Sequence, residues 1–205
     1  MLRDYSILIS LWIGWCFFHS ALADLSVNKQ LTHYFGRFTR LFYNGFALIS
    51  LIPVVTFRYR LDEPVLYVWS GNFLLVQFAG VMLAVVLFFA GARGYDLLYF
   101  SGFRQLFGKH ELNKQNDGQL STGGILNIIR HPWYLGGIIL IWSYEREVKL
   151  SSLLINLVLT AYFVIGARLE ERKLIALFGN AYRDYQQRVS MLFPFQWMTS
   201  FFKKA

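Results

Sequence analysis

The chain has 205 residues, 56% of them hydrophobic and 19% aromatic against only 16% charged, where an ordinary soluble domain carries roughly 25% charged residues. That balance excludes a soluble globular domain and fits one domain whose surplus apolar surface is covered by lipid. Lys and Arg number 20 against 12 Asp and Glu. The basic residues lie in the loops between apolar runs, so the excess reads as orientation in a bilayer rather than as a surface for nucleic acid.

Residues 5–23 are free of charge and form the first membrane segment. The sequence Ala21-Leu22-Ala23 imitates the cleavage site of a secretory leader, but Arg3 is cancelled by Asp4, and the expectation is a retained helix. Cys16, the only cysteine, lies inside this run, so neither an internal disulfide nor a thiolate metal site is expected, and no other metal-ligand spacing is present. Residues 41–57 and 65–92 give the second and third segments. Between Arg93 and Arg130, "GKHELNKQNDGQLSTGG" reads as a loop or short interfacial helix.

Residues 133–144 are too short to cross comfortably and 150–167 nearly long enough, so the fourth and fifth segments read as a helical hairpin turning at "EREVK", 145–149. Beyond them, Leu174, Leu177 and Phe178 recur at helical spacing and Gly179 is a helix stop, which predicts an amphipathic C-terminal helix on the membrane surface. With the N-terminus outside, 15 Lys and Arg fall on the cytoplasmic side and 5 on the outer side. The positive-inside rule thus gives N-out, C-in with about five segments.

Chemistry concentrates at "IIRHPWYLGG", 128–137. Pro132 lacks an amide hydrogen and suits the first position of a helix, with His131 extended before it. The helix start, Arg130 and His131 make a mouth suited to an anion. The plainer alternative is that Arg130 snorkels to headgroups and His131 caps. Glu170 and Glu171 end the next segment on the same side. Paired acids at a membrane border are uncommon, although Arg168 and Arg172 at helical spacing would give them ordinary partners.

Together, "GGILNIIRHPWYLG" and, some thirty residues on, "EERKLIALFGNAYRDY" resemble the isoprenylcysteine carboxyl methyltransferase superfamily over roughly residues 120–194. The first half, with "FFHSALA" and "RLFYNGFALIS", looks like its bacterial branch of NnrU-type proteins and methanethiol S-methyltransferases. The resemblance implies S-adenosylmethionine held at the cytoplasmic face by membrane helices, consistent with the lack of a Gly-rich nucleotide fingerprint. It places cofactor contacts on His131, Pro132, Trp133 and Tyr134, a loop contact near Leu120, the loop glycine on Gly124 and an acidic contact on Glu170. Arg130, Glu171 and Tyr185 complete the expected cofactor set, and Tyr182 is a further aromatic candidate.

Two departures bear on the substrate. Leu126 stands where many relatives have a tyrosine, and Gly166 stands where the prenyl-protein enzymes have an arginine associated with the substrate carboxylate. Arg168 is the only nearby cation but lies about 200° further round the helix. Arg168 and, from the first helix, His19 as proton acceptor are the candidate catalytic residues; a histidine hydrogen-bonded between helices is the plain alternative for His19.

The expectation is an all-α integral membrane helical bundle, one domain over 1–205, with three membrane helices in 1–92 and the cofactor loop, hairpin and C-terminal helix in 93–205. Its expected activity is S-adenosylmethionine-dependent methyl transfer to a small-molecule or lipid-like acceptor, best a thiol, with membrane lipids around it and no nucleic acid or obligate protein partner. A prenyl-cysteine carboxylate is the alternative acceptor. An NADPH-dependent sterol-type or enone reductase and a non-catalytic respiratory accessory protein are the other readings left open.

Overall fold

The computed structural model describes residues 1–92 and 120–202. The expected polar loop, with Arg104, Lys109 and Lys114, lies for the most part outside the described residues. In chain order come α1 (Leu2–Leu22), α2 (Leu25–Phe35), a 3-10 turn (Gly36–Phe38), α3 (Thr39–Arg58), β1 (Val65–Val68), α4 (Phe73–Ala92), a second 3-10 turn (Gly124–Asn127), α5 (Pro132–Ser143), β2 (Glu147–Lys149), α6 (Leu150–Phe178), α7 (Asn180–Arg188) and α8 (Phe195–Phe202). β1 and β2 pair into a two-stranded sheet, the one departure from helix among the described elements.

Among the described residues, four helical stretches are long and apolar enough to cross a membrane: Leu2–Leu22, Val27–Arg58, Phe73–Ala92 and Leu150–Phe178. The protein is an integral membrane protein. Large apolar side chains such as Phe17, Leu48, Leu75, Phe78 and Phe89 point away from the protein interior, which is costly in water and natural in lipid. α5 has 12 residues, about 18 Å of helix against a hydrocarbon thickness of about 30 Å. It does not span alone.

Three boundaries differ from the sequence reading. The third run is divided: Val65–Val68, β-branched and aromatic, forms a strand, Gly71 turns the chain at φ +54°, and only then does α4 begin. A helix, α2, occupies part of what reads as a loop between the first two segments. The amphipathic stretch after the last segment is not a separate element at its start, because α6 runs unbroken for 29 residues to Phe178, about 44 Å. Its last turns therefore extend past the hydrocarbon. Gly179, at φ +57°, ends it as expected and α7 follows. Leu174 and Phe178 pack on Tyr182, Tyr185 and Val189, while Leu177 stays exposed.

The described residues divide into two compact units, one of 1–67 and 148–158, the other of 68–92, 120–147 and 159–202. In the first, Leu8, Trp12 and Cys16 form a buried stripe one turn apart on α1, and α1 packs on α3. Trp15 ties the pair by donating to the Ala47 carbonyl at 3.3 Å and to Ser50 at 3.2 Å. Glu63 is buried and accepts from Tyr5 at 3.0 Å, from the Ser151 amide at 3.0 Å and from the Ser151 hydroxyl. Arg58 reaches the hydroxyls of Ser151 and Ser152.

In the second unit α4 lies along α5. The contact is close because it is lined by small residues, the usual device where lipid gives helices no hydrophobic reason to associate. A β-carbon at Gly91 would overlap the Trp133 indole. Trp133 is seated there by its Nε1–H, which donates to the Phe88 carbonyl at 3.0 Å.

Candidate active site

The second unit brings "RHP" and "EE" together at the start of α5. Ile129 makes a parallel bridge to Ser190, the Arg130 amide donates to the Ser190 carbonyl at 2.9 Å and the His131 amide to the Met191 carbonyl at 3.1 Å. The chain before α5 is thereby stitched to the strand-like segment after α7. Pro132 then opens the helix, with His131 at its N-cap at φ −125°, ψ 69°, outside the α region that a following proline disfavours but short of the extended geometry expected of it.

The two glutamates part company here. Successive helical residues point about 100° apart, so only one can face inward. Glu171 does: its Oε1 lies 2.6 Å from Nε and 2.6 Å from an Nη of Arg130, and 3.3 Å from Nε2 of His131. Its Oε2 accepts from the Gln186 side chain at 2.9 Å. The Arg130 and Glu171 side chains are 8% and 10% exposed, so this is a buried ion pair, and Arg130 also donates to the carbonyls of Gln186 (3.1 Å) and Val189. Nothing in the sequence pointed to Gln186, because its role depends on a chain crossing 15 residues away.

Glu170 is left at the rim, its side chain 37% exposed, with Oε2 3.8 Å from Nδ1 of His131. His131 is 5% exposed and stands between the two acids. This leaves one carboxylate committed to the frame and one facing solvent beside a ring nitrogen and a helix N-terminus, whose dipole favours negative charge.

The other expected site residues are placed as follows. Tyr134 meets His131 edge-on, with ring centroids 5.5 Å apart, and its ring lies against Gly166, where a β-carbon would be 3.0 Å away. Gly124 adopts φ +62°, a conformation that disfavours any other residue. Tyr185 donates to the Leu126 carbonyl at 2.6 Å. The residue that replaces the expected tyrosine of the loop is thus held by a tyrosine from α7. Leu120 packs on Tyr182, Tyr185 and Val189. Burial, and then the negative charge of Glu171, push the Tyr182 phenol up, so it stays neutral. Pro132 is buried and Trp133 turns to α4.

The two candidate catalytic residues are each held differently from the expectation. Arg168 is exposed and does not pair with Glu171, whose carboxylate is held by Arg130 instead. His19 belongs to the first unit, stacked on Trp15 at 4.9 Å with Tyr43 Oη 3.1 Å from its Nε2. It bridges α1 and α3, the geometry of an interhelical histidine. Among the described residues no group of His, Cys, Asp and Glu is arranged to hold a metal ion.

A methanethiol S-methyltransferase of Bradyrhizobium diazoefficiens is 32% identical to this chain over 192 residues, 87% of this chain and 62% of that protein. A methanethiol S-methyltransferase of Pseudomonas deceptionensis is 40% identical over 81 residues, 40% of this chain and 30% of that protein. A protein-S-isoprenylcysteine O-methyltransferase of Schizosaccharomyces pombe is 35% identical over 95 residues, 44% of this chain and 39% of that protein. The chain spans 62% of the length of the first of these and less of the others. No protein-family model matches the chain, and no solved structure matches it.

Proposed function

We propose, from the premise that this chain belongs to the isoprenylcysteine carboxyl methyltransferase superfamily, that it is an S-adenosylmethionine-dependent membrane methyltransferase acting on a small thiol. The observation that carries the reading is the corner where Arg130 and His131 meet Glu170 and Glu171, a pairing of the two motifs that a headgroup-snorkelling arginine would not need.

The donor set fits the amino-acid end of S-adenosylmethionine. Glu170, half-exposed beside His131, offers an acceptor to an ammonium group, and the start of α5 offers amide hydrogens and a positive dipole end to a carboxylate. Leu120, Gly124 and Tyr134 would line the remaining edge. Arg130 and Glu171 hold the frame, with Pro132, Trp133 and Tyr185 fixing the elements that carry it. When bound, the cofactor supplies an electrophilic methyl group on a positively charged sulfur.

A free thiol has a pKa of about 8.5, so the acceptor must lose its proton before or as it reacts. A water-facing mouth gives that proton an exit. Arg168 lies on the exposed side of α6, turned about 200° from the face that carries Gly166 and Glu170, and takes no part in this reading. The charge distribution supports a cytoplasmic mouth with the N-terminus outside, and the likeness to bacterial methyltransferases supports a bacterial inner membrane.

The test is equilibrium binding of labelled S-adenosylmethionine to the purified full chain in detergent, with NADPH as competitor. Saturable binding, weakened in Glu170→Ala and His131→Ala and indifferent to NADPH, is the expected result. Displacement by NADPH would move the protein to the reductase reading, and no binding at all would leave the accessory-protein reading.

A further inference from the structure

We propose that Tyr134, seated on Gly166, sets the upper limit on acceptor length; this rests on the methyltransferase reading above. Phe163, Gly166 and Glu170 recur at intervals of three and four, so they share one face of α6. Across from them Tyr134 projects from α5. Its ring centroid lies 5.5 Å from that of His131 and 6.2 Å from that of Phe163, both edge-on, at 77° and 73°. Phe163 in turn presses on Gly137, where a β-carbon would be 3.0 Å from its ring. His131, Tyr134 and Phe163 therefore form one continuous row of rings along the α5–α6 seam, from the mouth inward.

Glycine at 166 lets the tyrosine ring come this close to the α6 backbone, since a β-carbon there would sit 3.0 Å from ring carbon Cε1 and press the ring away by a few tenths of an ångström. The position is thus not an empty place left by a missing arginine. It is filled, and by a rigid group that cannot fold away without a change of rotamer.

An acceptor entering along this seam from the hydrocarbon meets Phe163 and then Tyr134 before it reaches a methyl donor held by His131 and Glu170. A one-carbon thiol needs no room for a tail. Each further methylene must displace a packed ring. Where room is made, each methylene buried adds about 0.8 kcal/mol, or about fourfold in kcat/KM.

The experiment compares methanethiol, propanethiol and hexanethiol as acceptors for the purified full chain with labelled S-adenosylmethionine. It reads the ratio of kcat/KM for hexanethiol to that for methanethiol, which is independent of how much protein is active. Tyr134→Ala and, as an independent opening of the same row, Phe163→Ala are each expected to raise that ratio at least tenfold over the wild type. An unchanged ratio in both variants overturns the proposal. So does loss of cofactor binding in Tyr134→Ala together with an unchanged ratio in Phe163→Ala, which would make the ring a cofactor contact and nothing more. A wild-type chain that methylates none of the three thiols overturns the reading on which the proposal rests, a result distinguishable from the other two.

Discussion

Replacing Arg130 by alanine removes the cation from a largely buried carboxylate, 10% exposed. In the structure the guanidinium lies 2.6 Å from Glu171 through two nitrogens and donates to the carbonyls of Gln186 and Val189. With the arginine gone, Glu171 keeps Gln186 and His131 as partners but remains buried. Breaking one side of such a pair costs about 3 to 5 kcal/mol. The isosteric Glu171→Gln leaves Arg130 its two carbonyls and an amide oxygen, so a smaller loss of about 1 to 3 kcal/mol is expected. The double variant Arg130→Met with Glu171→Leu should recover most of the loss, because a buried pair replaced by apolar groups of similar volume is often neutral. Reversible unfolding in mixed detergent micelles, followed by tryptophan fluorescence, measures all three. An Arg130→Ala protein as stable as the wild type, or a double variant no more stable than Arg130→Ala, would refute the assignment of the pair as the frame of the site.

Glu170→Ala and His131→Ala should each weaken cofactor binding by about tenfold to a hundredfold, the loss of a charge-assisted hydrogen bond of about 1.5 to 3 kcal/mol, with Glu170→Ala the milder in unfolding because its carboxylate is at the rim. Gly91→Ala should cost about 1 to 3 kcal/mol of stability by driving a methyl group into the Trp133 ring, read in the same unfolding assay. A reporter fused after residue 205 should be active only on the cytoplasmic side; activity on the outer side would invert the charge argument and the location of the mouth.

The membrane segments were legible because lipid imposes length and hydrophobicity directly on the sequence. Likewise Pro132 marked the start of α5, and Gly179 the end of α6, because backbone rules act locally. The division of labour between Glu170 and Glu171 was not legible. Both stand in the same pattern, and which faces inward depends on the rotation of α6 about its axis, set by packing at Gly137 and Gly166. Arg130 read as a candidate for the ligand because, besides Glu171, its partners are carbonyls at 186 and 189, which belong to any sequence and announce nothing. The strand Val65–Val68 was hidden by its own hydrophobicity, since a short apolar run adjoining a longer one has no period to separate them.

Methyl transfer itself is the most direct test. The purified full chain, given S-adenosylmethionine with a labelled methyl group, should convert methanethiol to labelled dimethyl sulfide in preference to forming a methyl ester on a farnesyl-cysteine analogue with a free carboxylate, and Glu170→Ala should lower that rate at least tenfold at limiting cofactor. No labelled product from a folded protein, or an ester as the preferred product that Arg168→Ala abolishes, would contradict the account.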